Sequence, residues 1–448
     1  MNTLSYSAIL SPLLPSFSQA FILPPQKHKV RMTRDLVTLH TANYSAEWIN
    51  LLSPDLGITA PNRIDPPRSG AVSFSTDKKL LTFGGYAEVA SDADDAPPNR
   101  FVVNGLWEFA PYQDASSAWG WTKVDQQKNS YIPGPRLATA MAFLPSSSQS
   151  VLLGGWDPQV PGTGGIILDD VSVLDVNTLQ WSKPTSVERE SEVLTIPGGP
   201  TSRHIAVPLQ MSNQNNEVEE AILLHNHRSE DHVLLLSLSN NDKSANKKSD
   251  QVIGKWTRQP TSGDVPSSRG LHCAAQLNDS NSDTKHVVIF GGAAKDGNMS
   301  NEAFVLDINT WKWTKLSTTG DQPSPRAGAC LCSLDESTVI LFGGAKKSDT
   351  GLVGLNDVFA LTINAKDGTG SWKCLIENTD VDESNVGGSC PPGRNAATLT
   401  KVHARSLIPD SLLMSSTSNA HQYFLLQGGW NPFRTTYNDA FILCISSE

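Results

Sequence analysis

One pattern recurs six times along this 448-residue chain, and a repeat at fixed spacing constrains the fold more than any other property of a sequence. Its clearest copy runs from Arg269 to Trp313. It reads as a strand over Leu271 to Leu277, a second strand ending in a glycine pair (Val287-Val288-Ile289-Phe290-Gly291-Gly292), a third strand opened by the polar pair Asn301-Glu302, and a closing Trp313. The apolar strand before the glycines returns at Leu80 to Phe83, Val151 to Leu153, Ile222 to Leu224, Val339 to Phe342 and Phe424 to Gln427. The glycine pair returns as Gly84-Gly85, Gly154-Gly155, Gly343-Gly344 and Gly428-Gly429, and the third copy has His225-Asn226 instead. Short apolar runs that stop at glycine suit strands covered on both faces, with glycine supplying positive φ or close backbone approach.

The polar pair has counterparts at Asn104-Gly105, Asp169-Asp170, Glu230-Asp231, Asn356-Asp357 and Asn438-Asp439. Closing tryptophans stand at Trp121, Trp181, Trp256 and Trp372. The sixth copy ends at Glu448 without one, while Trp48, followed by Pro66-Pro67-Arg68-Ser69-Gly70, matches Trp313 followed by Pro323-Ser324-Pro325-Arg326-Ala327-Gly328. On these residues the unit resembles the Kelch repeat, one four-stranded blade of a β-propeller, over roughly nine-tenths of the chain. The resemblance implies an all-β fold: a six-bladed Kelch-type propeller over 41–448, related to the galactose oxidase and Kelch propellers. The displaced Trp48 implies closure by an N-terminal strand that completes the last blade, a device that leaves few free edges. The third blade is retained on the expectation that Arg203 and Trp256 stay in phase.

The charge of −10 argues against a nucleic-acid binder, which shows a basic face, and no run approaches the roughly 18 apolar residues of a membrane helix. Six cysteines (Cys273, Cys330, Cys332, Cys374, Cys390, Cys444) fall mostly in predicted strands without a C-x-x-C pair, and read as small buried thiols. Residues 1–40 read as a leader, disordered or targeting. Up to Arg34 they hold no acid, and Met32 is a second possible start. The expected location is the cytoplasm, with a plastid or secretory route through residues 1–34 as the alternative. Sequons at Asn43, Asn278 and Asn298 are at chance level. Polar insertions interrupt the third and sixth copies, and Asp92, Asp94 and Asp95 make an acidic loop in the first.

Three constellations are candidates for chemistry. The first is the arginine leading each copy: Arg68, Arg136, Arg203, Arg269, Arg326 and Arg394. Repetition puts all six on one circle, where they either bind carboxylates or phosphates of a partner or brace the blades. Kelch propellers often bind partners near this circle. The second is the set of residues past the glycines: Tyr86, Trp156, Arg228 and Trp430, with Arg434 further on; exposed aromatics beside arginine are hot-spot material. The third is His225, His227 and His232, of which the first two share a strand face, with a degenerate blade as the plain explanation. No nucleophile elbow, phosphate loop or His-Glu-x-x-His occurs, and neither does the iron motif of the Kelch specifier proteins. The expectation is a non-catalytic, monomeric interaction scaffold or adaptor without cofactor or metal. It would present one loop face to a protein or peptide partner, of acidic character if the arginines face it. The alternative is an isomerase- or specifier-like enzyme working at the central channel mouth.

Overall fold

The computed structural model describes residues 44–51, 64–89, 99–111, 119–126, 130–158, 164–188, 192–212, 218–240, 252–278, 285–349, 351–380, 388–403, 407, 421–432 and 434–447. The leader, Asn43, the Asp92–Asp95 loop and the central parts of the polar insertions lie outside these residues. The described chain is all-β, with no α-helix. Six sheets of four or five strands follow the six sequence units.

In each sheet the strand before the glycines lies centrally and the tryptophan strand lies outside. In the fifth, Thr338–Phe342 pairs antiparallel with Cys330–Ser333 on its inner side and Val358–Asn364 on its outer side, and Thr369–Ile376 follows with Trp372. The central strand is buried at every position, which explains its uninterrupted apolar run. Tyr44–Asn50 pairs antiparallel with Ala440–Ser447, Trp48 opposite Leu443, so the first described strand is outermost in the sheet formed by the last residues. The connections leaving the outer strands of the second, third and fourth sheets run briefly along the outer edge of the next sheet, at Thr185–Ser186, Ser262–Gly263 and Ser317–Gly320, and cover its unpaired backbone.

The core lies between sheets. Six apolar clusters are each shared by two sheets, and one joins the sixth (Tyr423, Leu425, Ile442) to the first (Leu80, Phe109, Trp121). The phased tryptophans reach across these junctions to the strand end before the preceding glycines. Trp181 meets Phe83 (4.9 Å between ring centroids), Trp372 meets Phe290 (5.2 Å) and Trp48 meets Phe342 (5.1 Å). Such edge-on and tilted pairs contribute about 0.5–1.5 kcal/mol beyond their burial. The inner strands Val72–Ser75, Ala140–Leu144, Ile205–Ser212, Cys273–Asn278, Cys330–Ser333 and Thr398–Lys401 touch one another in that order, and the last touches the first. The Cys330 and Cys332 thiols donate to the Ala397 and Leu399 carbonyls of the next inner strand.

Trp372, 2% exposed in a junction core, should cost about 3–5 kcal/mol when replaced by alanine. Val353→Ala, on an exposed hairpin, should change stability by about 0.5 kcal/mol at most. Equilibrium denaturation separates the two, and equal effects would contradict an inter-sheet core.

Candidate functional site

The leading arginines of five units are buried: Arg68, Arg136, Arg269, Arg326 and Arg394 are 0–4% exposed. Each donates from Nε to the carbonyl two residues before it and from Nη1 to the first carbonyl of its unit's glycine pair. Arg326 donates from Nε to the Ser324 carbonyl (3.0 Å), from Nη1 to the Gly343 carbonyl (3.0 Å), and from Nη1 and Nη2 to Asp357 (2.6 and 2.9 Å). Arg136 holds Asp170 and Arg394 holds Asp439 in the same bidentate way, and Arg269 holds Glu302. Burial pushes the Glu302 carboxyl up, but hydrogen bonds from Lys315, Arg269 and Ser300 outweigh it and bring its pKa down to about 2. In the first unit Gly105 stands where the acid would be. Arg68 there donates to the backbone carbonyls of Asp65, Pro66 and Gly84, and burial lowers its pKa to about 10.

The glycine pair completes this brace. Gly344 N–H donates to the Arg394 carbonyl of the following unit (2.9 Å). A Cβ at Gly343 would sit 2.9 Å from that oxygen, and φ there is +63°, so only glycine fits without strain. The arginine side chain thus holds its own unit's glycine carbonyl while its backbone carbonyl holds the preceding unit's glycine amide.

The third unit departs from this plan. Gly155 N–H donates to the Thr201 carbonyl (2.9 Å), so Thr201 occupies the brace position and Arg203 is two residues out of phase with the other arginines. Arg203 instead joins a ring of residues with left-handed backbone: Gly70, Ala138, Arg203, Leu271, Gly328 and Ala396, with φ of 50–68°. Backbone hydrogen bonds of 2.7–2.9 Å link Ala138 to Arg203, Arg203 to Leu271, Leu271 to Gly328, Gly328 to Ala396 and Ala396 to Gly70. Holding non-glycine residues there costs about 1–2 kcal/mol each, which this ring offsets.

The ring surrounds a pocket of about 160 Å³ to which all six units contribute. Its walls are uneven. The residue after each ring position is alanine in the first, fifth and sixth units (Ala71, Ala329, Ala397) but Thr139, His204 and His272 in the second, third and fourth. Trp156 and Trp430 reach the rim because each pairs antiparallel with the residue after a leading arginine, at Leu137 and Asn395. Hairpins rise beside the mouth from four units: Tyr86–Val89 with Asn99–Val102, the paired ends of Gln149–Asp157 and Ile166–Asp175, Ala345–Ser348 with Gly351–Gly354, and Trp430–Asn431 with Thr435–Thr436. The third and fourth units have short turns there, closed by Ser229 N–H on the Asn226 carbonyl (3.0 Å) and Ala294 N–H on the Asn298 carbonyl (2.9 Å).

A Kelch-repeats domain described as KLHDC2/KLHL20/DRC7 matches residues 247–447. These residues belong to the Kelch-repeat family. Similar proteins include dynein regulatory complex subunit 7 of Chlamydomonas reinhardtii, 33% identical over 90 residues (20% of this chain, 7% of that protein). Others are acyl-CoA-binding domain-containing protein 4 of Arabidopsis thaliana, 26% identical over 188 residues (40% and 24%), and tRNA wybutosine-synthesizing protein 4 of Aspergillus fumigatus, 29% identical over 93 residues (20% and 9%). The chain spans at most a quarter of the length of these curated relatives. The solved structure of YjhT aligns over 84% of this chain and 95% of its own, at 15% identity and a TM-score of 0.47.

The residues expected to meet a partner separate accordingly. The five braced arginines face inward, because their guanidinium donors are engaged by carbonyls and, in four of them, carboxylates of their own units; they do not converge on the mouth. Arg203, Trp156 and Trp430 do line it. Tyr86 is buried against Val102 and Leu137, and Arg434 is exposed on the hairpin of the sixth unit. His225, His227 and His232 do not gather: His227 is exposed in a turn and His232 pairs with Asp231. His225 Nδ1 instead lies 3.0 Å from His272 Nε2, beneath the mouth. The repeat register marks His204 and His272, which share one position in adjacent units. Among the described residues no group of three or more His, Cys, Asp or Glu is arranged to hold a metal.

His204, His225 and His272 are held neutral at pH 7. Burial is the main cause, lowering His204 to about 4 and His225 to about 3, and Arg228 and Arg269 respectively add to the shift. His272 is lowered in the same way. The unfolded chain takes up protons below about pH 6.5 where the folded one does not, so this stability is full above 6.5 and declines as pH falls. The unfolding free energy from equilibrium denaturation should drop between pH 7 and 5, by about 1.4 kcal/mol per pH unit for each histidine at most, and a flat profile would contradict neutral burial. Arg326→Ala should cost about 3–5 kcal/mol by leaving Asp357 buried without its partner, while Arg203→Ala leaves the braces intact. Thermal melts showing both variants equally stable would overturn the distinction.

Proposed function

We propose that the six sheets are the blades of a closed propeller, and that the protein is a non-catalytic scaffold binding an extended, acidic segment of a protein partner across the mouth ringed by Arg203, Trp156 and Trp430. The cyclic contacts of the inner strands, the core shared by the sixth and first sheets, and the pairing of Tyr44–Asn50 with Ala440–Ser447 support closure. The observation that carries the binding reading is the mouth itself, a pocket built by all six units with an arginine in its ring and two tryptophans at its rim. The low wall over the third and fourth units gives a segment lateral access. That side carries Arg203, His227, Arg228 and Lys295 against Glu230 and Asp296, and His227 feels both Arg228 and Lys295. In a chain of charge −10, such a cationic edge favours a partner bearing carboxylates. A Kelch-repeat relative named as a subunit of a regulatory complex fits an interaction role. Small-molecule chemistry at the same mouth would use His204, His272 and Arg203, but no carboxylate is among the described residues lining the pocket.

The test is affinity capture with wild type, Arg203→Glu and Trp156→Ala, followed by calorimetric titration of the identified partner. Arg203→Glu and Trp156→Ala should each weaken binding about tenfold or more in protein shown to be folded. Undiminished affinity in both would remove the mouth from the interface.

A further inference from the structure

The inner strands have a second set of ends, remote from the arginine ring, and there the six sheets enclose a larger central cavity of about 700 Å³. That volume is within the range of small-molecule sites. One wall is aromatic, where Phe74 and Phe143 stack with centroids 5.4 Å apart at 17°. Another is hydroxylic, where Ser73 and Thr400 hydrogen-bond to each other across the junction of the first and sixth sheets.

Lys401, on the inner strand of the sixth sheet, borders this cavity. Its Nζ donates to a single neutral acceptor, the Leu334 carbonyl (2.7 Å). Among the described residues no carboxylate lies within 4 Å of it. A partly buried ammonium without a counter-charge is unfavourable. Burial accordingly lowers the Lys401 pKa, against a longer-range pull from Asp335. Asp335 is itself engaged by the Tyr44 hydroxyl, and Glu220 on the cavity rim accepts the backbone N–H groups of Ser146 and Ser147 (2.9 and 3.2 Å). Lys78 and Lys79 add positive charge to the rim and Asp77 subtracts from it; Lys79 has Glu108 at 3.9 Å. Lys401 is therefore the cation on this wall whose charge the described protein leaves uncompensated.

We propose that this second cavity binds a small organic anion, with a carboxylate or phosphate on the Lys401 ammonium and the carbon skeleton against Phe74 and Phe143. An anion there supplies the counter-charge, and the hydroxyls of Ser73 and Thr400 lie on the cavity wall to hydrogen-bond its polar groups. The site is independent of the mouth at the opposite strand ends.

Inorganic phosphate and citrate serve as probes of the two anion types, titrated by calorimetry into wild type, Lys401→Met and Arg203→Ala. Saturable binding of at least one probe is expected for wild type and for Arg203→Ala, weakened about tenfold or more in Lys401→Met. Phosphate alone would point to a phosphate ester, and citrate alone to a polycarboxylate. Absence of saturable binding of both probes at millimolar concentration, or equal binding by Lys401→Met, would overturn the proposal. If Lys401→Met fails to fold, Lys401→Gln provides the same comparison.

Discussion

The interaction on which the structure depends is the hydrogen bonding of a buried guanidinium to a glycine carbonyl. In five of six units the arginine fastens the end of its own central strand, and in four of them (Arg68, Arg136, Arg326 and Arg394) its backbone carbonyl also accepts the amide of the glycine pair before it. Neighbouring sheets are joined through one residue, and the tryptophan of the next unit packs over the joint. Arginine suits the position because its planar fork satisfies two carbonyls and a carboxylate at once, which a lysine ammonium does not. Aromatic faces complete the enclosure, as where the Arg394 guanidinium lies 4.0 Å from the centroid of Tyr437.

The one unit without the brace is where the molecule becomes asymmetric. Thr201 stands at the brace position in place of the arginine, His225-Asn226 replace the glycines, and a short turn stands where other units raise a hairpin. Asp231, left without that arginine, turns outward to Arg258 and His232. Arg203 lines the mouth, and buried neutral histidines fill the space below. A repeat scaffold gains a specific site by breaking its own rule at one unit, because five regular units keep the frame rigid.

The fold was legible because its signals repeat. Five glycine pairs and a phased tryptophan each report the same backbone requirement, and the displaced Trp48 marks the strand that pairs with Ala440–Ser447. The site was less legible, for a physical reason. An arginine that recurs in phase looks the same in sequence whether it braces or binds, and burial decides which. A clue was present: an acid opens the third strand where the arginine is in phase and carries a bidentate bond, as with Asp357 and Arg326, which ties the two positions to each other. Arg203 was misread because a two-residue shift is invisible once the glycines that anchor the register are gone. His204 and His272 were missed because their proximity depends on adjacent sheets lying side by side, which no single strand encodes.

The most direct measurement is a double-mutant cycle on Arg394 and Asp439 by equilibrium denaturation, with Arg394→Ala, Asp439→Ala and the double variant. A structural brace predicts a coupling energy of about 1.5–3 kcal/mol, the two single losses overlapping rather than adding. Coupling below about 0.5 kcal/mol would mean that the pair does not act as a unit, and the arginine ring would return as a candidate binding surface.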